Sequence, residues 1–337
     1  MPSGRTRKIG RSGKGRGKNT RKHSFPKKLK DQRKIKEAKD FPVEKGKVTK
    51  QKDGTYCATK LVSDKDASKY AGYDVSKKMM KKHKVIRKDI VIYDCDTNEI
   101  VFAYSPKYFD LDKIDTAVAD LEKHASLEGF RGEAAGKADL ENIQMNVRGK
   151  DGLEYKVSET ASWATIYRPT GSKISLSNFV RSGNIGNYNR KRLNNLRESE
   201  EVSSGTQDLI NESVRFLKDK VPGLYEKMYS AIQDKYRFGG DKSPFTTITI
   251  NKNFRTAMHR DKGNLNGYAV LTASHIGKQF KGGLLHFPQY GIAVPLRKGD
   301  ALVANVKLLH GNEKITYPSK DSSRISFVLY SREDFEK

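Results

Sequence analysis

Cysteine and long apolar runs are scarce in this sequence of 337 residues. Cys57 and Cys95 are its two cysteines, too few for the disulfide framework of a small secreted protein. No run of roughly 18 apolar residues occurs, so no segment is predicted to cross a bilayer, and the N-terminus lacks the apolar core of a signal peptide. These absences favour a reducing, intracellular compartment.

Acidic residues are also in short supply, since 40 Asp and Glu stand against 66 Lys and Arg, a net charge of +26. Residues 1–40 hold 16 basic and three acidic residues and few apolar ones, which predicts a disordered basic arm. The rest of the chain is basic as well. A polyanionic partner is therefore expected, nucleic acid first and a membrane surface second. The arm is interpreted as a nucleic-acid-binding or nuclear-targeting segment, with a solvated tail as the alternative.

The periodicity of apolar residues changes along the chain. Residues 89–105 alternate around a turn and predict a hairpin, while apolar spacings of three and four predict helices over 111–127 and 206–236. From residue 245 onward, eight short strand-like runs follow one another with turn residues between most of them. The sequence predicts an α+β fold with a double-stranded β-helix (jelly-roll) core of eight strands over 245–337. Residues 41–244 are expected to pack on that barrel within one compact unit.

Two histidines and an aspartate are the candidate metal ligands. His259 and Asp261 form a His-x-Asp where the second strand-like run ends, and His310 begins the seventh. In a double-sheet barrel these two strands are neighbours, so the three side chains can converge at one mouth. Two imidazoles and one carboxylate leave coordination positions open, as in the facial triad of non-haem Fe(II) oxygenases. A His-x-Asp alone is a weak signal, and the alternative is a chance pair in a polar loop.

The last strand-like run provides a candidate carboxylate anchor. Arg324 and Ser326 are two residues apart and face the same side of a strand. The guanidinium can bind a carboxylate through two parallel hydrogen bonds, and the hydroxyl can add a third. Arg332 is the second-ranked candidate, and the alternative for Arg324 is a surface arginine at a strand start.

Five other histidines compete for the ligand role or need another explanation. His286 lies among apolar residues and is predicted to be a satisfied histidine of the core or pocket. His275 is predicted to lie in a loop. His23, His83 and His124 are expected at the surface, because their sequence contexts are basic or helical.

The order of these motifs resembles a known superfamily. His-x-Asp is followed by "GGLLHFP", "KGDALVANV", "HGNEKI" and "SSRISFVLYS", a succession similar to the core of the 2-oxoglutarate/Fe(II)-dependent dioxygenases. Within it, "TTITINKNFRTAMHRDKGN" resembles the TET/JBP branch, which oxidises the methyl group of thymine or 5-methylcytosine in DNA. The resemblance covers roughly residues 245–332.

The resemblance implies a set of cofactors and ligands. It implies Fe(II) held by His259, Asp261 and His310, and 2-oxoglutarate anchored by Arg324, with O₂ as the second co-substrate. Ascorbate could serve as a reductant. The residues that would contact the base cannot be assigned from the sequence.

A basic, glycine-containing segment over 178–197 is the candidate nucleic-acid contact. Cations can neutralise phosphates, and an aromatic ring can stack on a displaced base; the alternative is an exposed loop with solvated charges. The candidate residues are Arg181, Tyr188, Arg190, Lys191 and Arg192. DNA is the expected partner and RNA the alternative, and a base in a duplex would have to flip to reach the metal.

Three functions remain open at this point. The leading one is an Fe(II)/2-oxoglutarate dioxygenase that hydroxylates a pyrimidine methyl group in DNA, in the nucleus or otherwise associated with DNA. The second keeps the chemistry and changes the substrate to a peptidyl proline or lysine, because such enzymes share the barrel. The third is a non-catalytic nucleic-acid-binding protein.

Overall fold

A computed structural model describes most of the chain from Ile35 onward. The described ranges are 35–125, 132–136, 146–148, 154–157, 165–167, 173–175, 181–186, 202–319 and 321–336. Most of the predicted basic arm lies outside them, as do four of the five predicted nucleic-acid contacts: Tyr188, Arg190, Lys191 and Arg192.

Short strands dominate the described residues. In chain order they are β1 (Val48–Lys50), β2 (Tyr56–Ala58), β3 (Lys84–Val85), β4 (Ile90–Asp94), β5 (Ile100–Ser105), β6 (Asn146–Arg148), β7 (Glu154–Val157), β8 (Thr165–Tyr167), β9 (Lys173–Ser175), β10 (Arg181–Gly186), β11 (Thr247–Lys252), β12 (Tyr268–Ile276), β13 (Lys281–Gly282), β14 (Leu285–Phe287), β15 (Ile292–Val294), β16 (Ala301–Asn305), β17 (Gly311–Asn312), β18 (Ile315–Thr316) and β19 (Ser323–Tyr330). The α-helices are α1 (Asp64–Ser68), α2 (Lys77–Lys82), α3 (Leu111–Leu121), α4 (Ser204–Lys220) and α5 (Pro222–Ser230).

Two sheets enclose the inner core. The large sheet has the order β1-β2-β4-β5-β16-β12-β19-β11-β10, and the smaller one has the order β17-β14-β15-β3. Phe102 of the large sheet stacks on Phe287 of the smaller sheet with ring centroids 5.3 Å apart. Leu302 and Ala304 face this inner core, whereas Ala301 and Val303 face the other side, as strand alternation requires. The predicted α+β jelly-roll class is confirmed.

Helices cover the outer face of the large sheet. Apolar side chains of α3, α4 and α5 form one buried cluster with residues of β11, β12, β16 and β19. Asp110 caps α3 by accepting from two backbone N–H groups, and Ser203 caps α4, as expected for oxygen side chains at a helix N-terminus. The predicted helical range 206–236 is divided into α4 and α5, and Pro222 begins α5, a position that proline favours. α3 ends at Leu121 rather than near residue 127, where the chain continues as a 3₁₀ turn.

The strands are distributed differently from the sequence prediction. The hairpin over 89–105 is confirmed as β4 and β5, and β5 pairs with β16, so the large sheet contains strands from both sides of residue 245. The second predicted strand-like run, residues 255–260, forms no strand; His259 instead makes an isolated backbone bridge with His310. The division of the chain at residues 40 and 244 remains a prediction.

The two cysteines are bonded to each other. β2 pairs with β4 in parallel, which brings Cys57 close to Cys95 just after β4, and the Cα atoms are 5.0 Å apart in a disulfide. A single disulfide is not the framework of a small secreted protein, so the expectation of an intracellular compartment stays a prediction. Among the described residues, no helix is long and apolar enough to cross a membrane.

Candidate functional site

The backbone brings His259 and His310 together. Each residue donates its N–H to the carbonyl oxygen of the other, at 2.8 and 3.0 Å, and the ring centroids are 4.3 Å apart. Asp261 follows on the same loop, and its N–H donates to the carbonyl of Val306. The loop and the segment before β17 are therefore fixed to each other where the predicted ligands lie.

Hydrogen bonds also set the orientation of both imidazoles. Nδ1 of His259 lies 2.8 Å from the carbonyl oxygen of Ala257, and Nδ1 of His310 lies 2.9 Å from that of Leu308. A carbonyl oxygen can only accept, so each Nδ1 carries the proton, and in the neutral ring Nε2 has a free lone pair. This is the arrangement in which a second hydrogen bond orients a metal-binding histidine.

Asp261 completes a candidate metal centre, the name used below for His259, Asp261 and His310. One potential ligand atom from each residue lies within 4.8 Å of the others, and His259 Nε2 is 3.4 Å from Asp261 Oδ1. Both histidines are buried and the carboxylate is half-buried. Two imidazole nitrogens and one carboxylate oxygen fit a divalent first-row metal and leave positions free for other ligands.

Burial and neighbouring charge move the two histidines in opposite directions. Burial, with the adjacent His259 ring, lowers the pKa of His310 to about 4, so its imidazole is neutral near pH 7. Burial would also lower the pKa of His259, but the hydrogen bond and charge of Asp261 outweigh it and raise that pKa. A metal would take the place of the proton that His259 shares with Asp261.

The candidate metal centre opens onto a cavity of about 460 Å³, within the range of small-molecule sites. Arg324 and Ser326 line the same cavity. The cavity therefore holds the proposed metal ligands and the proposed co-substrate anchor together.

Arg324 is a buried cation without an acidic partner among the described residues. It is 3% exposed, its Nη1 donates to Ser326 Oγ at 3.0 Å, and its Nε has no hydrogen-bond partner. Burial, the largest effect, lowers its pKa to about 10, which still leaves the guanidinium charged. A buried, unneutralised guanidinium is costly unless an anion joins it, so the cavity is suited to a carboxylate.

Arg332 also lines the cavity but is placed differently. Its Nε and Nη2 lie 3.4 Å from Asp334 Oδ2, and it is more exposed than Arg324. Because Arg332 already faces a carboxylate, Arg324 is the better carboxylate anchor of the two.

Asn264 is a cavity residue that the sequence reasoning missed. It is 1% exposed, and neither Oδ1 nor Nδ2 has a hydrogen-bond partner. Asn312, in the same cavity, differs because it accepts from Thr256 Oγ1 and donates to the Gly283 carbonyl. An unpartnered buried amide is costly and is suited to a ligand that offers a donor beside an acceptor. The only sequence signal was its place three residues after Asp261.

His286 confirms the prediction of a satisfied core histidine. It is fully buried, its Nδ1 lies 2.9 Å from Nδ1 of His83, and its Nε2 lies 3.4 Å from Glu313 Oε2. His83, Glu313 and His286 are called the closed histidine cluster below.

Two histidine predictions are wrong. His83 was expected at the surface but is 5% exposed, because it ends α2 and its ring turns inward to His286. His275 was expected in a loop but lies in β12, where it pairs with Arg324. β12 runs two residues further than its apolar pattern predicted, because β19 continues beside it.

The predicted nucleic-acid segment is described only in part. Arg181 begins β10, opposite Lys252 of β11, and the other four candidates lie outside the described residues. Their role in binding nucleic acid remains a prediction.

A family of known proteins matches the region of the chain that contains the candidate metal centre. Residues 178–333 match the family Tet_JBP, the oxygenase domain of the 2OGFeDO superfamily. The chain is 39% identical over 128 residues to the bifunctional helicase and thymine dioxygenase JBP2 of Leishmania tarentolae, covering 38% of this chain and 11% of that protein. It is 34% identical over 127 residues to the thymine dioxygenase JBP1 of Crithidia fasciculata, covering 37% of this chain and 15% of that protein. The predicted resemblance to the superfamily and its TET/JBP branch is confirmed, although the match spans only a small part of each relative.

Solved structures with a similar fold have low sequence identity. NgTET1 in complex with 5mC DNA aligns with a TM-score of 0.41 and 12% identity, covering 82% of this chain and 93% of that one. A prolyl-4-hydroxylase from Pseudomonas putida aligns with a TM-score of 0.34 and 11% identity, covering 69% and 93%. At such scores the likeness supports no functional conclusion.

Proposed function

We propose that this chain is an Fe(II)/2-oxoglutarate-dependent dioxygenase that hydroxylates the methyl group of a pyrimidine base in DNA. The observation that carries the proposal is the pairing, in one cavity, of the candidate metal centre with the buried, unneutralised Arg324. Neither a structural metal site nor a simple nucleic-acid-binding barrel needs both. The names of the relatives, thymine dioxygenases, favour thymine over 5-methylcytosine.

The residues fit the cofactors by their donor chemistry. His259, Asp261 and His310 would hold Fe(II), and Arg324 with Ser326 would bind the distal carboxylate of 2-oxoglutarate through charge-assisted hydrogen bonds. Bound iron would supply the activation of O₂ that couples decarboxylation of 2-oxoglutarate to hydroxylation of a C–H bond. The chain's own part is to orient the ligands and to exclude water from the cavity. A role for ascorbate stays a prediction.

Asn264 supports a pyrimidine in the same cavity. Its amide can donate from Nδ2 and accept at Oδ1, which complements the adjacent O4 and N3–H of thymine. By exchanging the two amide atoms it could equally pair with N3 and N4 of 5-methylcytosine. Asn264 therefore supports a pyrimidine edge, and the choice of base is left to experiment.

The basic character of the chain supports DNA as the molecule that contains the substrate base. A net charge of +26 favours a polyanion, and a DNA substrate implies work in the nucleus or another DNA-containing compartment. RNA and peptidyl substrates become outcomes of the experiment below.

The test is mass spectrometry of nucleosides and peptides after incubating the full chain with Fe(II), 2-oxoglutarate and, in separate reactions, DNA, RNA, or a prolyl or lysyl peptide. Two DNA substrates are used. One DNA contains thymine and the other also contains 5-methylcytosine. We expect 5-hydroxymethyluracil from the first, with succinate formed in proportion. The matched control is the His259→Ala chain, which should give neither product.

Two results would overturn the proposal in different ways. Absence of both succinate and oxidised nucleoside from a folded, iron-loaded chain would remove the oxygenase activity. Succinate with oxidation of RNA or of a prolyl or lysyl peptide, and none of DNA, would keep the chemistry and replace the substrate.

A further inference from the structure

Residues 77–88, called the basic patch below, concentrate positive charge on the folded body. The patch has the sequence "KKMMKKHKVIRK", with six lysines, one arginine and no acidic residue. It comprises α2, β3 and the three residues that follow β3. Ser76 caps α2 by accepting from the N–H of Met79, and the buried Met79 attaches the helix to an apolar cluster that contains Met258 and Leu309.

The lysines of the patch project away from that anchor. Among the described residues, Lys77, Lys78, Lys81 and Lys82 are exposed and form no ion pair. Because like charges at helical spacing repel one another, such a helix gains most from an external polyanion.

Acidic residues close to the patch are already engaged. Asp74 forms an ion pair with Arg255, and Asp89 is paired with Lys220 at 2.8 Å. The carboxylate of Glu37 accepts from the backbone N–H of Lys77 at 2.7 Å. Glu37 therefore places one negative charge at the start of α2, against seven cations in the patch, while Asp74 and Asp89 are paired with cations outside it.

The basic arm joins the body beside the patch. The N–H of Asp74 donates to the carbonyl of Lys36 at 2.7 Å, and that of Ala38 donates to the carbonyl of Asp74 at 3.1 Å. Residues 1–34 carry 14 basic residues and one acidic residue. Residues 36–38, in the described end of the arm, therefore lie next to Asp74, just before α2.

Contacts connect this junction to the cavity. Gly136 packs against Ile35, since a Cβ atom at Gly136 would lie 2.7 Å from the Ile35 side chain. Three residues earlier, Glu133 lines the cavity and binds Lys262 at 2.9 Å. On the other side, β3 lies three strand spacings, about 14 Å, from β17, which follows His310.

We infer that the basic patch forms a binding track for the phosphate backbone of duplex DNA, separate from the cavity that takes the base. This inference rests on the proposed function only for the choice of DNA as the polyanion. The track would position a duplex next to the cavity by contacts that carry no sequence information.

An anionic membrane is the competing polyanion, and the patch fits it less well. A helix that binds in a membrane interface needs an apolar face toward the lipid. α2 has six residues, its Met79 is buried in the protein, and Met80 is the large apolar side chain it exposes. Charge without an apolar face favours a phosphate backbone.

The test measures the salt dependence of binding with the full chain and a labelled duplex. Each phosphate contact contributes about 0.9 to the slope of log K against log salt. For the variant Lys77→Gln/Lys78→Gln/Lys81→Gln/Lys82→Gln, we expect the slope to flatten by about 2 to 4. Turnover of a saturating short single-stranded substrate should stay within about twofold of that of the unmodified chain, because none of the four residues lines the cavity.

The matched control removes the same charge elsewhere. Lys227→Gln/Lys235→Gln/Lys242→Gln/Lys307→Gln changes four exposed lysines in or near α5, which packs on the outer face of the large sheet, whereas β3 belongs to the smaller sheet. Its slope should flatten by less than about 1. Equal flattening in both variants would overturn the track in favour of diffuse attraction, and so would an unchanged slope in the patch variant. Loss of binding to phosphatidylserine vesicles with an unchanged DNA slope would replace DNA by a membrane. None of these readings requires turnover, so they stand apart from failure of the proposed oxygenase.

Discussion

Two groups of two histidines and a carboxylate lie in the same barrel, and only one of them is arranged to bind a metal. In the candidate metal centre, Nε2 of each histidine is free of backbone partners and faces a cavity with Asp261. In the closed histidine cluster, His286 uses both ring nitrogens, one toward His83 and one toward Glu313. Residue types are the same in both groups, so composition does not separate them.

The direction of the ring nitrogens makes the difference. His259 and His310 direct Nδ1 at backbone carbonyls, which fixes the tautomer and presents the other nitrogen. In the closed cluster, His286 lies between its partners, so Glu313 and His83 face opposite nitrogens of one ring. Their ligand atoms cannot converge on one ion, and the group satisfies itself internally.

Removing a ligand from the candidate metal centre should have the largest effect. For His259→Ala, Asp261→Ala or His310→Ala we expect loss of Fe(II) binding and at least about a thousandfold loss of turnover, because each supplies one of three ligands. The fold should persist, since the backbone bridge between His259 and His310 does not depend on side chains. Succinate release and metal content are the measurements.

The control for that prediction comes from the closed histidine cluster. His286→Gln should leave the iron content unchanged. Loss of iron in this variant, or iron-dependent succinate release retained in all three alanine variants, would show that the ligands have been assigned to the wrong group.

Arg324 adds to this contrast, because the cavity at the candidate metal centre is completed by a ligand from outside the protein. Arg324→Lys keeps the charge but loses the planar pair of donors. We expect the apparent KM for 2-oxoglutarate to rise at least about tenfold, because a charge-assisted hydrogen bond contributes about 1.5–3 kcal/mol. The matched variant Arg332→Lys should change it by less than about threefold. The reverse result would move the anchor to Arg332.

Some parts of the site could be predicted from the sequence and others could not, and the physical reason differs from part to part. Local signals identified the hairpin, the start of α3 at residue 111 and the His-x-Asp, because each depends on residues close in sequence. Alternation on β19 correctly placed Arg324 and Ser326 on one face. The inward turn of His83 was not predictable, because its partner is 203 residues away in the chain. Asn264 was missed because only the folded structure shows that its amide is buried and lacks hydrogen-bond partners.

Substitution of Asn264 should show whether its amide binds a ligand or has only a structural role. For Asn264→Ala, two hydrogen bonds to the base are lost, so kcat/KM for the DNA substrate should fall about tenfold, while the KM for 2-oxoglutarate stays within about twofold. Because the amide has no partner in the protein, thermal stability should not decrease. A lower melting temperature with unchanged kinetics would instead give Asn264 a structural role.

The closed histidine cluster has the smallest expected effect on activity, and its response to protons separates it from the candidate metal centre. Burial, with the charge of His286, lowers the pKa of His83 to about 3, whereas an unfolded histidine titrates near its ordinary pKa of about 6.5. As the pH falls between these values, the unfolded chain binds a proton at His83 that the folded chain does not. The unfolding free energy should therefore decrease by up to about 1.4 kcal/mol per pH unit from this group. His83→Gln removes that contribution, so the stability of this variant should decline less steeply than that of the unmodified chain between about pH 6 and 4. At neutral pH its stability should be lower by about 1–3 kcal/mol, because His286 loses a partner. Urea denaturation of the metal-free proteins at several pH values measures the slope of unfolding free energy against pH for both chains. Parallel slopes would mean that His83 is protonated in the folded chain and that the closed histidine cluster is open to solvent.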